Sequence, residues 1–273
     1  MNSLNKYWVH DLSPFLWKFP EDWGNWGPGG IRWYGISYLL GFISAYFLLM
    51  KYQRREKSPY NSSQILDLMT FQILGVLLGG RIGYVILYQS ELLFQDPLII
   101  LKVWEGGMAS HGGFLGVAIA TLWYAKHSKQ AVLPIADLIV TIVPPGLFFG
   151  RIANFINGEL YGKPTNVFWS VIFPEKDSLP RHPSQLYEAF LEGIILFIIL
   201  NIIIFKEKYI NGMCSSLFLI FYGLFRIFSE QYREPDVHIG LLLNKVSIGT
   251  ALSSIMIFIG IIFFIKINRN EFK

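Results

Sequence analysis

RWYGISYLLGFISAYFLLMK, residues 32–51, carries an arginine at one end, a lysine at the other, and nothing ionisable between them except three tyrosines. An α-helix rises about 1.5 Å per residue, so a run of this length covers the roughly 30 Å of hydrocarbon in a bilayer. The stretch therefore reads as a membrane span, halted by the basic run KYQRREK. Working outward, six further runs read the same way: about 65–88, 106–125, 133–150, 188–205, 212–231 and 241–266. The fourth is expected to break at Pro144-Pro145-Gly146.

Composition agrees. The 273 residues are 53% hydrophobic and 15% charged, with a mean hydropathy of +0.42, whereas soluble domains are about 25% charged. The expected fold class is an all-α integral membrane protein with seven transmembrane helices, and residues 1–273 read as one membrane domain. The segment 1–31 holds Trp8, Trp17, Trp23 and Trp26 with Phe15 and Phe19, which suits an interfacial position, where amphipathic rings are favoured. The first apolar run ends in a basic cluster without a small-residue cleavage pattern, so it is expected to remain in place. A net charge of +4 is spread over scattered loops, which argues against nucleic acid and for anionic lipid. The single cysteine, Cys214, excludes an internal disulfide and a Cys-rich metal site and reads as a small buried hydrophobe.

Basic residues in short connections orient the spans. Lys51, Arg54, Arg55 and Lys57 follow span one; Lys126 and Lys129 follow span three; Lys206 and Lys208 follow span five; Lys266, Arg269 and Lys273 close the chain. The alternate connections hold Lys102 after span two and Arg233 after span six. The N-terminus is thus expected outside and the C-terminus in the cytoplasm, with the long connection 151–187 facing outward.

A charged side chain at bilayer depth costs on the order of 2.5–3.5 kcal/mol even on lenient insertion scales, which makes each one a functional candidate. Five places qualify: Arg81; His111; Arg151, Asn154, Asn157 and Glu159; Arg181 and His182; and Arg226 with Glu230. Arg151 and Asn154 share a helix face at i, i+3, and Tyr222, Arg226 and Glu230 recur at i, i+4, i+8. Arginine presents a planar fork of donors that matches phosphate, so several arginines near one membrane face point to a phospholipid headgroup. Plainer readings stand beside this one. Arg226 and Glu230 form an intrahelical ion pair, Arg81 snorkels to the boundary, His111 is a packing histidine, Asn154 and Asn157 cap a broken helix, and the flanking glycines serve helix packing. A lipid or anion carrier and a structural scaffold also remain open at this point.

GRIANFINGELYG (150–162) closely resembles the signature of the prolipoprotein diacylglyceryl transferases, bacterial inner-membrane enzymes that begin lipoprotein maturation. RWYG (32–35), GGRIGYV (79–85), GGMASHGG (106–113), RHPSQLYEA (181–189) and YGLFRIFSEQYREPD (222–236) resemble that family's other blocks in its order. The resemblance implies a periplasmic N-terminus and location in the bacterial inner membrane. It implies phosphatidylglycerol as donor and the lipobox cysteine of a prolipoprotein signal peptide as acceptor. The diacylglyceryl group would form a thioether and glycerol phosphate would leave, with no cofactor or metal. By resemblance Arg151 and Arg226 act on the phosphate and leaving group, His111 is the proposed base, and Asn154, Gly162 and Tyr34 occupy important positions. Glu159, Tyr222, Glu230, Arg233 and Arg81 are expected to support substrate binding.

Overall fold

The computed structural model describes residues 6–20, 29–91, 96–102, 107–234, 241–242 and 246–271. Of the expected interfacial aromatic residues, Trp23 and Trp26 lie outside these, while Trp8 and Trp17 are exposed. In chain order the elements are β1 (Trp8–Val9), β2 (Phe15–Lys18), β3 (Gly30–Arg32), α1 (Trp33–Arg54), α2 (Ser62–Tyr88), α3 (Ser110–Ser128), α4 (Val132–Ile156), β4 (Val171–Ile172), β5 (Pro180–Arg181), α5 (Ser184–Ile204), α6 (Met213–Glu230), β6 (Leu241–Leu242), β7 (Val246–Ser247) and α7 (Ile248–Glu271). A short 3₁₀ turn, Pro97–Leu101, lies between α2 and α3.

The architecture is all-α and membrane-embedded in character: among the described residues, six helices are long and apolar enough to cross a bilayer. The remaining one, α3, has sufficient length at 19 residues, but its glycines, serines, histidines and lysine dilute its apolar content below the level of the others. Only 17% of the apolar stretch of α1, and the same share of α7, is buried inside the protein. Their exposed faces, including Leu39, Phe47, Phe258 and Ile262, are what a lipid-facing helix presents.

The chain divides into two compact units, Met1–Leu16, Arg32–Ala45 and Asp137–Lys273 in one, and Trp17–Ile31 and Tyr46–Ala136 in the other. In the second unit α2 and α3 pack backbone to backbone through Gly75, Gly79, Gly83, Gly112 and Gly116. A Cβ on Gly116 would stand 1.9 Å from the Gly75 carbonyl oxygen, so only glycine permits the approach. Gln72 donates to Thr121 Oγ1 at 3.2 Å across the same seam.

In the first unit, α6 packs on α7 with Gly223 against Ser253 and Ile257, and α5 approaches α4 where Gly193 meets the Phe148 backbone. Helix α4 corrects an expectation: it runs unbroken through Pro144 and Pro145. Proline has a helical φ, and among packed membrane helices the missing N–H bonds are tolerated because neighbouring groups take up the freed carbonyls. The continuity carries Arg151 and Asn154 into the helix's last turns. Beyond α4 the connection is folded. Strand β4 pairs in parallel with β1 and antiparallel with β5, and single bridges join Gly162 to Arg233 and Pro164 to Arg181. Cys214 is fully buried, as expected of a small hydrophobe.

Candidate active site

Three helices of the first unit converge on a set of charged side chains. Arg151 comes from the last turns of α4, Glu188 and Glu192 from the start of α5, and Arg226 and Glu230 from the end of α6, with Arg233 just beyond it. Arg151 forks onto two carboxylates: its Nη1 is 2.9 Å from Glu188 Oε2 and its Nη2 3.2 Å from Glu192 Oε2. Arg226 mirrors it, with Nη1 at 2.5 Å from Glu188 Oε1 and 3.8 Å from Glu192 Oε1, and Nη2 at 2.9 Å from Glu230. Arg233 Nη1 lies 3.5 Å from Glu188 Oε1. Tyr222, one helical turn before Arg226, shares the electrostatic neighbourhood of both arginines and both glutamates.

Exposure separates the two central arginines from the two glutamates they share. The Glu188 and Glu192 side chains are 1% and 0% exposed, whereas Arg151 and Arg226 retain 16% and 13%. The two shared carboxylates are thus enclosed, while the arginine side chains that grip them keep a small exposed fraction. Unpaired, a buried carboxylate would pay a desolvation penalty of several kcal/mol; shared between forks it holds the cations in a fixed attitude instead. The Arg226–Glu230 pair expected within α6 exists, but it is one edge of this larger network. Between Glu188 and the apolar half of α5 lies a π-helical turn, Ala189–Ile195, that contains Glu192; such turns are frequent at functional sites.

The signature's remaining polar groups shape the adjoining turn. Asn154 is buried, one turn beyond Arg151. Asn157 donates to Glu159 at 2.7 Å, Gln185 donates to the Glu159 carbonyl at 2.6 Å, and Ser184 donates to the Leu160 carbonyl at 2.9 Å. Gly162 is a wedge: a Cβ there would stand 2.6 Å from both the His182 and Tyr232 carbonyl oxygens, so the strand-like seam closes only over a hydrogen. Arg181, 3% exposed, fastens the seam by donating to the Gly162 carbonyl at 3.0 Å and to Asp177 at 2.5 Å, with Glu234 as a third partner. The Arg181 guanidinium holds the Asp177 carboxyl below the usual carboxylate range, and burial pushes His182 below the ordinary histidine value. Tyr34, in the first turn of α1, is half-buried and within electrostatic reach of Glu159 and Arg151.

Nine of the expected site residues thus fall in the first unit: Tyr34, Arg151, Asn154, Glu159, Gly162, Tyr222, Arg226, Glu230 and Arg233. Arg81 and His111 belong to the second. Arg81 is buried and donates twice to the Ile99 carbonyl, at 3.1 and 2.8 Å. His111 stands in the first turn of α3, and its side chain lies outside the described residues. Glu188 and Glu192 were not among the expected residues, although two acids four apart at the head of an apolar run meet the same burial criterion that singled out the arginines.

A family model described as prolipoprotein diacylglyceryl transferase matches residues 24–266. The chain belongs to the prolipoprotein diacylglyceryl transferase family. Relatives named phosphatidylglycerol–prolipoprotein diacylglyceryl transferase include one from Photobacterium profundum, 49% identical over 86% of this chain and 88% of the relative. One from Rickettsia akari is 47% identical over 86% and 91%, and one from Aeromonas hydrophila 44% identical over 93% and 90%. In transferase terms, the charged cluster lies within the matched segment, with Arg151 inside the GRIANFINGELYG signature.

Proposed function

We propose that the protein transfers the diacylglyceryl group of phosphatidylglycerol to the lipobox cysteine thiol of prolipoproteins, the first step of lipoprotein maturation. The single observation that carries this is a pair of arginines held side by side on two enclosed glutamates, in a membrane protein of this family. In the transfer, the thiol sulfur bonds to the glyceryl carbon while the carbon–oxygen bond to phosphate breaks. The electron pair stays on the phosphate oxygen, and glycerol phosphate departs. Charge grows on that oxygen, where fixed guanidiniums in a water-poor site stabilise it more than mobile water would. The thiol's ordinary pKa is about 8.5, so its proton must pass to a base.

Arg151 and Arg226 are assigned to the phosphate. Tyr34, Asn154, Glu159, Gly162, Tyr222, Glu230 and Arg233 are assigned to positioning, and Arg81 to substrate binding in its own unit. His111 remains the base that the family resemblance nominates, and the assay below, run on His111→Gln, tests it. The chain is proposed to form one domain of seven spans in the bacterial inner membrane, N-terminus periplasmic, C-terminus cytoplasmic, with 1–31 at the interface. The excess of basic residues after α1, α3 and α5 supports this orientation.

The decisive experiment incubates the detergent-purified protein with phosphatidylglycerol and a lipobox-cysteine peptide, then weighs the peptide. The peptide is expected to gain the mass of one diacylglyceryl group, and Arg151→Ala is expected to lower the rate by about a hundredfold or more, the scale of losing a charge-stabilising donor. A fully active Arg151→Ala variant refutes the assignment.

A further inference from the structure

Counted by ordinary ionisation, the cluster balances before any ligand arrives, with the guanidiniums of Arg151, Arg226 and Arg233 against the carboxyls of Glu188, Glu192 and Glu230. The charged and titratable groups facing the two buried glutamates come from every packed element, Arg151 from α4, Tyr222 and Arg226 from α6, and Arg233 beyond it. Glu230 reaches them through Arg226. A phosphate arriving on Arg151 and Arg226 adds negative charge to a set that is already neutral and shielded from water. It also draws toward itself the N–H groups that keep the carboxylates ionised, and a buried carboxylate losing its cations favours its protonated form.

The two glutamates are unequally held. Glu188 has three cationic contacts, at 2.9, 2.5 and 3.5 Å. Glu192 has two, Arg151 at 3.2 Å on Oε2 and Arg226 at 3.8 Å on Oε1, and its Oε1, like Glu188 Oε2, accepts no hydrogen bond from the described residues. We infer that binding of a phosphate group to Arg151 and Arg226 is accompanied by uptake of one proton on the Glu188–Glu192 pair, with Glu192 the member that takes it. Lipid binding is then coupled to proton concentration, and a departing phosphate sends the proton back. The inference rests on the phosphate reading given above.

The test is calorimetric titration of the detergent-purified protein with phosphatidylglycerol micelles in phosphate-free buffers of differing ionisation heat. The slope of binding heat against buffer heat should report uptake of about one proton per lipid bound. Wild-type affinity should fall by up to about tenfold per pH unit across the pair's titration. In Glu192→Gln, with helicity checked by circular dichroism, the uptake should vanish and the affinity become independent of pH. Lipid binding by the wild type without buffer dependence overturns the inference while leaving the phosphate reading intact. Full proton uptake in a folded Glu192→Gln overturns the assignment to Glu192. No lipid binding by the wild type overturns both.

Discussion

Replacing Glu188 with alanine tests whether burial, rather than distance, decides the strength of an ion pair in this protein. Glu188 touches three guanidiniums while 1% exposed, and its removal leaves Arg151 and Arg226 with excess positive charge out of water. Deleting one partner of a buried pair costs about 3–5 kcal/mol. At roughly 2–4 °C per kcal/mol for a chain near this size, the unfolding midpoint should fall by about 6–20 °C. The control is Lys102→Ala, which breaks a contact of comparable length, 2.6 Å to Asp96, whose side chains are 35% and 42% exposed. Exposed pairs contribute about 0–1 kcal/mol, so this variant should shift by no more than about 4 °C. Both variants are measured by tryptophan fluorescence on heating in one detergent. Equal shifts in the two, or a Glu188→Ala midpoint unmoved, refute the reasoning, because geometry alone would then have set the energies.

Three further outcomes are expected. Gly116→Val drives a Cβ into the Gly75 carbonyl, 1.9 Å away, and should destabilise the α2–α3 seam by about 1–3 kcal/mol or more, whereas Gly113→Ala, with open space around its Cβ, should be neutral in the same thermal assay. Asp137→Asn halves the acceptors offered to Ser215 N and Oγ, at 2.7 and 2.6 Å, and to Gly212 and Tyr209; a loss of about 3 kcal/mol and faster amide exchange at residues 212–216 should follow. His182 is held neutral by burial, below its ordinary 6.5, so between the folded value and 6.5 the unfolded chain binds more protons. Its contribution to stability is complete above pH 6.5 and lost as pH falls below it, and a His182→Phe variant should show a flatter midpoint across that window.

The helices were legible because apolar runs long enough to cross a membrane have few other uses, and their predicted ends lie within several residues of the observed ones. Pro144-Pro145 misled because the helix-breaking rule assumes that freed carbonyls find no substitute, which packed neighbours supply. Arg151 and Arg226 could be named from the insertion cost of charge, but their meeting could not. They are far apart in sequence, and the groups joining them, Glu188 and Glu192, sit on a third helix. Nothing in the sequence marks those two glutamates as the shared counter-ions, because the pairing that makes them so exists only in the fold. Gly162 was legible only as a position in a motif; its reason, two carbonyls converging on one Cα, exists only in the folded seam.

The Asp137 anchor acts on the arginines from a distance. Helices α4 and α6 run in the same direction, tied at one level by Asp137 to Ser215 and at another by Arg151 and Arg226 through α5. Fourteen residues of α4 and eleven of α6 separate those levels, about 21 Å and 16 Å of helix. Two rungs at such heights turn a pair of rods into a gauge: neither can slide along its axis without breaking one tie or the other. The relative height of the two arginines is thus set some 20 Å away from them, and a substitution at Asp137 is expected to shift it without touching either arginine.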